Sequence, residues 1–356
     1  MRPLHINKTV YKDERARRRA RRRFLYRLRQ RVIELGVLAV LVTLVAVPIS
    51  LLTRREPAPS ESTAEVPSAT QPAKEPIPYP ELNESTIPFG AEVDAQYALL
   101  WDVTDNRVIA AKGADVVTYP ASVTKVMTLL VAVEHIDDFT DTFTMTYDIL
   151  HPLYLNNATI AGFVEGEAVL LEDLLYGTIL PSGADASQAL AEYVAGSEAA
   201  FAELMNEKAA ELGLKNTHFV NTSGLHDKDH YTTAADMAVV LRAAMENVHC
   251  RQVLSTYQYT TAVTPEHPEG ILLTSTLFSR IYGDEPDGAT IVAGKTGYTS
   301  QAVHTLVTYA QGENGHEYVF VTLKGSDRWK IIYDAIDTYT RFCGTKEIGT
   351  TPSSTG

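Results

Sequence analysis

Residues 35–52 (LGVLAVLVTLVAVPISLL) run for 18 positions without a charge, and this run constrains everything on either side of it. A helix of that length is roughly 27 Å long, at about 1.5 Å per residue, which matches the hydrocarbon thickness of a bilayer. The segment 32–52 is therefore expected to be a transmembrane signal-anchor helix. Residues 1–31 hold 13 Lys/Arg and 2 acids, leaving 18 bases and 42 acids in residues 32–356. By the positive-inside rule the basic segment 1–31 is cytoplasmic and everything after residue 52 lies outside, which predicts a single-pass protein of the cell membrane. Arginines beside a spanning helix hold topology and touch anionic headgroups, so no nucleic-acid partner is expected. Thr53, Arg54 and Arg55 follow the run where a cleaved signal peptide would have small residues, so the anchor is expected to stay attached.

Residues 53–89 contain 8 of the 17 prolines and no hydrophobic period, which predicts an extended linker. Residues 344–356 are rich in Gly, Thr and Ser and read as a flexible tail. One domain remains, 90–343. With 45% hydrophobic residues in the whole chain and only 2 Cys, a disordered chain and a disulfide-stapled miniprotein are both excluded. Residues 97–103 and 108–110 flank Thr104-Asp-Asn-Arg107 as a β-hairpin, residues 304–309 and 318–323 flank a turn containing Asn314-Gly315, and 329–342 reads as a closing helix. Strands at both ends with helices between predict an α+β fold whose antiparallel sheet is assembled from the two termini. No internal repeat, G-x-G-x-x-G or Walker loop is present, so neither a nucleotide nor any other cofactor is expected.

Ser122 and Lys125, in Tyr119-Pro-Ala-Ser-Val-Thr-Lys-Val-Met-Thr128, stand three apart at the start of an apolar helix and so share a face. A serine hydroxyl is a poor nucleophile without a base in reach, and lysine serves only when burial or a neighbouring cation keeps it neutral. S-x-x-K alone is weak, with about 0.6 chance occurrences in a chain of this composition. Gly294-Lys-Thr-Gly297 sharpens it, since K-T-G is expected only about 0.08 times. On a strand beside a cleft, Lys295 offers charge and Thr296 a hydroxyl to a substrate carboxylate, while Gly297 lets a substrate backbone pair closely. Lys295 would also depress the pKa of Lys125.

A third segment, Leu180-Pro-Ser-Gly-Ala-Asp-Ala-Ser187, lies between them. In this order the three motifs resemble those of the serine D-alanyl-D-alanine carboxypeptidases, the low-molecular-weight penicillin-binding proteins. The resemblance covers roughly 90–325 and includes Asn216-Thr-His-Phe-Val-Asn-Thr-Ser-Gly-Leu-His-Asp227 and His230-Tyr-Thr-Thr-Ala234. It implies a β-lactamase/transpeptidase-like fold: a five-stranded antiparallel sheet flanked by helices, plus a helical subdomain. It further implies that Ser122 is the nucleophile, Lys125 its general base and Ser182 a proton shuttle. Lys295, Thr296 and Gly297 would bind the substrate, and backbone N–H groups of Ser122 and Tyr298 would form the oxyanion hole. The implied partners are peptidoglycan stem peptides ending in D-Ala-D-Ala, with β-lactams as inhibitors.

The second motif departs from the usual Ser-x-Asn, because Ala184 takes the third position. A methyl group makes none of the hydrogen bonds of an amide, a loss on the order of 1–3 kcal/mol that predicts slowing rather than abolition. Asp185 is read as capping the helix 186–194. A catalytically weak wall-peptide-binding relative stays open on account of Ala184. A β-lactamase or transpeptidase with the same machinery is the other alternative, although no extra deacylation carboxylate stands out between the second and third motifs. His218, His226 and His230, with Asp227 and Asp229, fit no zinc spacing and are read as loop-stabilising, so no metal is expected. Outside the cytoplasm a Cys250–Cys343 disulfide is permitted.

Overall fold

The computed structural model describes residues 76–281 and 283–343. The expected cytoplasmic segment 1–31, the membrane segment 32–52, most of the 53–89 linker and the tail 344–356 lie outside the described residues. Among the described residues no helix is long and apolar enough to cross a membrane.

The strands are β1 (Ile87–Pro88), β2 (Tyr97–Asp102), β3 (Arg107–Lys112), β4 (Thr142–Thr144), β5 (Ala168–Leu170), β6 (Gln258–Thr260), β7 (Leu272–Thr274), β8 (Ala289–Thr299), β9 (Val303–Gly312) and β10 (Glu317–Gly325). Six of them form the main sheet in the order β1-β3-β2-β10-β9-β8. β2, β3, β8, β9 and β10 pair antiparallel, so both termini build the sheet as the alternating patterns predict. The expected count of five is corrected by β1, which pairs parallel to β3 with Ile87 opposite Ala110. Two residues ending in proline leave no periodic trace in a sequence, and a proline without an N–H fits only such an edge. Beside this strand Tyr79 Oη donates to Asp236 Oδ1 at 2.8 Å and Phe89 is buried.

The helices are α1 (Lys125–His135), α2 (Tyr147–Leu155), α3 (Leu171–Ile179), α4 (Ala184–Ala195), α5 (Glu198–Glu211), α6 (Ala234–Glu246), α7 (Val248–Leu254), α8 (Phe278–Ile281) and α9 (Lys330–Phe342). Alternate residues of the sheet face two separate cores. Leu99, Trp101, Val307, Tyr309, Val319 and Val321 pack on the helical block. Ala98, Leu100, Leu306, Ala310, Tyr318 and Phe320 pack under α9 through Ile331, Ile332 and Tyr339. Cys250 sits in the first core and Cys343 in the second, both as free thiols, so the permitted disulfide is ruled out by the sheet between them.

Helix α1 runs through the middle of the helical block with every residue from Lys125 to Val133 buried. A helix apolar nearly all round belongs in an interior. Each of its buried Leu, Val and Met side chains contributes roughly 1.5–3 kcal/mol relative to exposure, which offsets the burial of one amine at its first position.

Candidate active site

Ser122 lies in a 3₁₀ turn, Ala121–Thr124, that leads straight into α1. In a 3₁₀ turn residues i and i+3 eclipse one another, so Ser122 and Lys125 face each other more directly than α-helical spacing alone provides. Lys125 Nζ stands 3.4 Å from Ser122 Oγ and donates to the Ser223 carbonyl at 2.6 Å. Ala121 takes the left-handed conformation with φ +51, a strained choice for a residue with a side chain. Three neighbours hold it there. Gly224 packs so closely on Ala121 that an added Cβ would fall 1.9 Å from its carbonyl oxygen. Thr305 Oγ1 donates to the Pro120 carbonyl at 2.9 Å. On β8, a Cβ at Gly297 would stand 2.8 Å from the backbone nitrogen of Ser122, so only glycine lets the strand pass the nucleophile.

Lys125 is 2% exposed, and its pKa is pushed down to about 7, by burial first and against the opposing pull of Asp185 and Glu198. Of the two causes expected, burial or a neighbouring cation, burial is the one that acts on Lys125. Lys295 is 1% exposed, donates to the Thr296 carbonyl at 2.8 Å, and is held well below the ordinary lysine range by burial, then by Lys125 and Arg280. Thr296 Oγ1 and Thr276 Oγ1 are hydrogen-bonded at 2.8 Å.

The cleft over Ser122 has a volume of about 370 Å³ and is bordered by Lys125, Ser182, Ala184, Ser223 and Tyr298. Lys295 and Thr296 are not among the residues that border it. Ser182, on the turn between α3 and α4, is also left-handed at φ +71, and its buried hydroxyl has no hydrogen-bond partner. A buried, unpartnered hydroxyl is a donor and acceptor held in waiting for a ligand.

Asp185 does not cap α4. Its carboxylate accepts from the backbone nitrogens of Ala161 at 2.7 Å and Gly162 at 3.1 Å, so it fixes the segment after α2 against the start of α4. Helix α4 begins at Ala184 with Gly183 as its N-cap, without a side-chain cap. The histidines of the 218–230 loop go to separate partners. His230 is buried, accepts from the Val220 nitrogen through Nδ1 at 3.1 Å, and so donates from Nε2 to Thr124 Oγ1 at 2.8 Å. Burial pushes its pKa down to about 4 and keeps it neutral beside the nucleophile's turn. His218 Nδ1 donates to the Asp229 carbonyl at 2.6 Å. His226 instead lines the cleft and packs edge-on against Tyr119. His226, Asn156, Asn157 and the stretch 299–301 also border the cavity. No spacing marked them, because distant loops meet there only in three dimensions.

The comparisons with known proteins agree with this geometry. The family model described as D-alanyl-D-alanine carboxypeptidase, peptidase S11, matches residues 83–326. The D-alanyl-D-alanine carboxypeptidase DacF of Bacillus subtilis (strain 168) is 32% identical over 225 residues, covering 62% of this chain and 55% of that protein. The DacA enzyme of Escherichia coli (strain K12) is 36% identical over 176 residues, covering 47% of this chain and 43% of that one. Thus the chain spans about half the length of the curated relatives it matches. The crystal structure of the Streptomyces K15 DD-transpeptidase superposes with a TM-score of 0.62 at 27% identity, covering 70% of this chain and 97% of that one. With a mixed α/β penicillin-binding fold, and with a family match across all three motifs, this chain belongs to the D-alanyl-D-alanine carboxypeptidase family, peptidase S11.

Proposed function

We propose that this chain is a serine DD-carboxypeptidase that removes the terminal D-Ala from peptidoglycan stem peptides through an acyl-enzyme on Ser122. The observation that supports it most is the buried Lys125 amine, with a pKa near 7, placed 3.4 Å from the Ser122 hydroxyl. Such an amine is neutral in a large fraction of molecules at physiological pH and can accept a proton.

In this reading Ser122 Oγ attacks the carbonyl carbon of the penultimate D-Ala while Lys125 takes the hydroxyl proton. Backbone N–H groups of Ser122 and Tyr298 receive the oxyanion. The C–N bond then breaks as Ser182 passes a proton to the leaving nitrogen. Water next hydrolyses the ester, returning Ser122. Lys295 and Thr296 provide the positive field and hydroxyl for the substrate's free carboxylate, with Gly297 giving the backbone room to pair. The segment 32–52 anchors the enzyme in the membrane with its domain outside, where peptidoglycan is found.

Mass spectrometry of the purified chain after exposure to a penicillin tests the reaction class. The expected result is a covalent adduct on the peptide containing Ser122, absent from Ser122→Ala, and an unmodified Ser122 peptide overturns it. Release of D-Ala from a D-Ala-D-Ala pentapeptide separates catalysis from mere binding. A second reading, transpeptidation, is favoured by one observation: the Streptomyces K15 relative carries both the carboxypeptidase and the DD-transpeptidase name. Adding an acceptor amine to the pentapeptide assay decides between them, since a transpeptidase gives a cross-linked product and a carboxypeptidase gives free acid. Protease digestion of intact cells tests the topology, with loss of the domain expected and full protection counting against it.

A further inference from the structure

Ala184 borders the cleft where an amide is usual, and the structure brings another amide to the same place. Helix α2 stops at Leu155, and the chain beyond it is clamped to the start of α4. The Ala184 nitrogen donates to the Thr159 carbonyl at 2.8 Å, and the Asp185 carboxylate accepts from Ala161 and Gly162. Residues 156–159 consequently border the same cavity as Ser122, Lys125 and Ala184.

Two asparagines lie on that segment, and they are not equivalent. Asn156 is committed, since its Nδ2 donates to the Pro152 carbonyl at 3.0 Å and closes the end of α2. Asn157 occupies the left-handed position just past the helix, with φ +48. Its nitrogen donates to the Tyr154 carbonyl at 3.2 Å and the next nitrogen, of Ala158, to the Leu153 carbonyl at 3.0 Å. That pair of bonds is a Schellman stop, in which glycine is the usual residue and asparagine the second choice. The backbone thus accounts for the left-handed turn but not for the side chain. Among the described residues nothing hydrogen-bonds the Asn157 amide, which is exposed at the border of the cleft.

Resting on the carboxypeptidase reading above, we infer that the Asn157 side-chain amide binds the backbone of the substrate peptide in place of the amide that Ala184 lacks. An amide offers two donors and an acceptor, the set needed to bridge a peptide N–H and C=O. The hydrogen bonds between 159–162 and the start of α4 hold the segment that carries it at the border of the cavity it shares with Ser122.

Asn157→Gly separates this role from helix termination, because glycine is at least as good at a left-handed stop. The expected result is unchanged thermal stability with kcat/KM for D-Ala release lowered about 10- to 100-fold, the consequence of losing a pair of hydrogen bonds to substrate. Asn157→Asp, which keeps the turn and loses the donors, should behave alike. Placing the amide on the other wall, Ala184→Asn in the Asn157→Gly background, should restore activity to within severalfold of the starting enzyme. Binding of the same pentapeptide to Ser122→Ala chains, with and without Asn157→Gly, gives a readout independent of turnover, and a tenfold or greater weakening is expected. Asn157→Gly within twofold of wild type in that binding assay overturns the inference, as does a pentapeptide that does not bind the Ser122→Ala chain at all. Failure of the carboxypeptidase reading shows elsewhere, as a missing Ser122 adduct, while the binding assay still decides the place of Asn157.

Discussion

Lys125 and Lys295 are both about as buried as a lysine can be, and the pKa of each is depressed with burial as the first cause. They differ in what surrounds them. Lys125 borders the cleft, has a hydroxyl and a carbonyl in reach, and feels the carboxylates of Asp185 and Glu198. Lys295 is turned back onto the Thr296 carbonyl and feels only cations, Lys125 and Arg280. The carboxylates thus favour a charged Lys125, the residue proposed to act when neutral, and the cations disfavour a charged Lys295. A substrate carboxylate arriving beside Lys295 supplies the counter-charge that amine lacks, and a charged Lys295 in turn repels a proton from Lys125. The comparison teaches that burial makes an amine titratable near neutrality, while its charged neighbours decide which amine gives up its proton, and that substrate completes the set.

The largest break in this comparison is Lys125→Met. Removing the proposed base should lower the penicillin acylation rate by 10²- to 10⁴-fold, measured by single-turnover labelling. The same variant should be more stable at neutral pH by a few kcal/mol, because a buried amine is replaced by a thioether of similar length. The sign follows from the depressed pKa. Between about 7 and the ordinary lysine value near 10.4, the unfolded chain binds more protons at this site than the native one, so wild-type stability rises with pH across that window. Urea melts at pH 7 and pH 9 should show a larger rise in wild type than in Lys125→Met, which keeps only the contribution of Lys295.

The pH profile tests which amine is neutral. If Lys125 acts as base, kcat/KM falls about tenfold for each unit below pH 7, near 100-fold at pH 5, and levels above 7. With substrate bound and Lys295 charged, the midpoint of kcat itself should move to lower pH. A flat profile from pH 5 to 8 breaks the assignment. Lys295→Met comes next in size, with KM raised about 10- to 100-fold and kcat little changed, as expected for loss of a charge-assisted contact to a carboxylate. A pentapeptide amidated at its C-terminus should show almost no difference between wild type and this variant.

How far this contrast was legible in the sequence depends on the distance over which each signal acts. The hairpin 97–110 and the helix 329–342 are written in local periodicity and appear within a residue or two of their expected bounds. The S-x-x-K spacing likewise places two side chains together, since three residues suffice. Asp185 was misread as a cap because its partners, Ala161 and Gly162, are more than twenty residues away. The choice between burial and a neighbouring cation for Lys125 was open for a related reason. A lysine opening an apolar helix looks like a surface residue until Ser223, α4 and α5 close around it. β1 was hidden by brevity, and Asn157 and His226 by belonging to loops whose meeting place is set by the fold.

The smallest expected effect isolates the Lys295 side alone. Thr276 Oγ1 and Thr296 Oγ1 share a hydrogen bond at 2.8 Å, whereas Lys125 bonds to Ser122 and Ser223. Thr276→Val conserves shape but leaves the Thr296 hydroxyl to rotate, a loss of about 1 kcal/mol of orientation. KM for the pentapeptide should rise roughly threefold to tenfold, with the acid midpoint of kcat/KM unmoved. If the midpoint shifts as well, the two amines are coupled through this hydroxyl pair and not only through space, and the two halves of the site would have to be treated as one network.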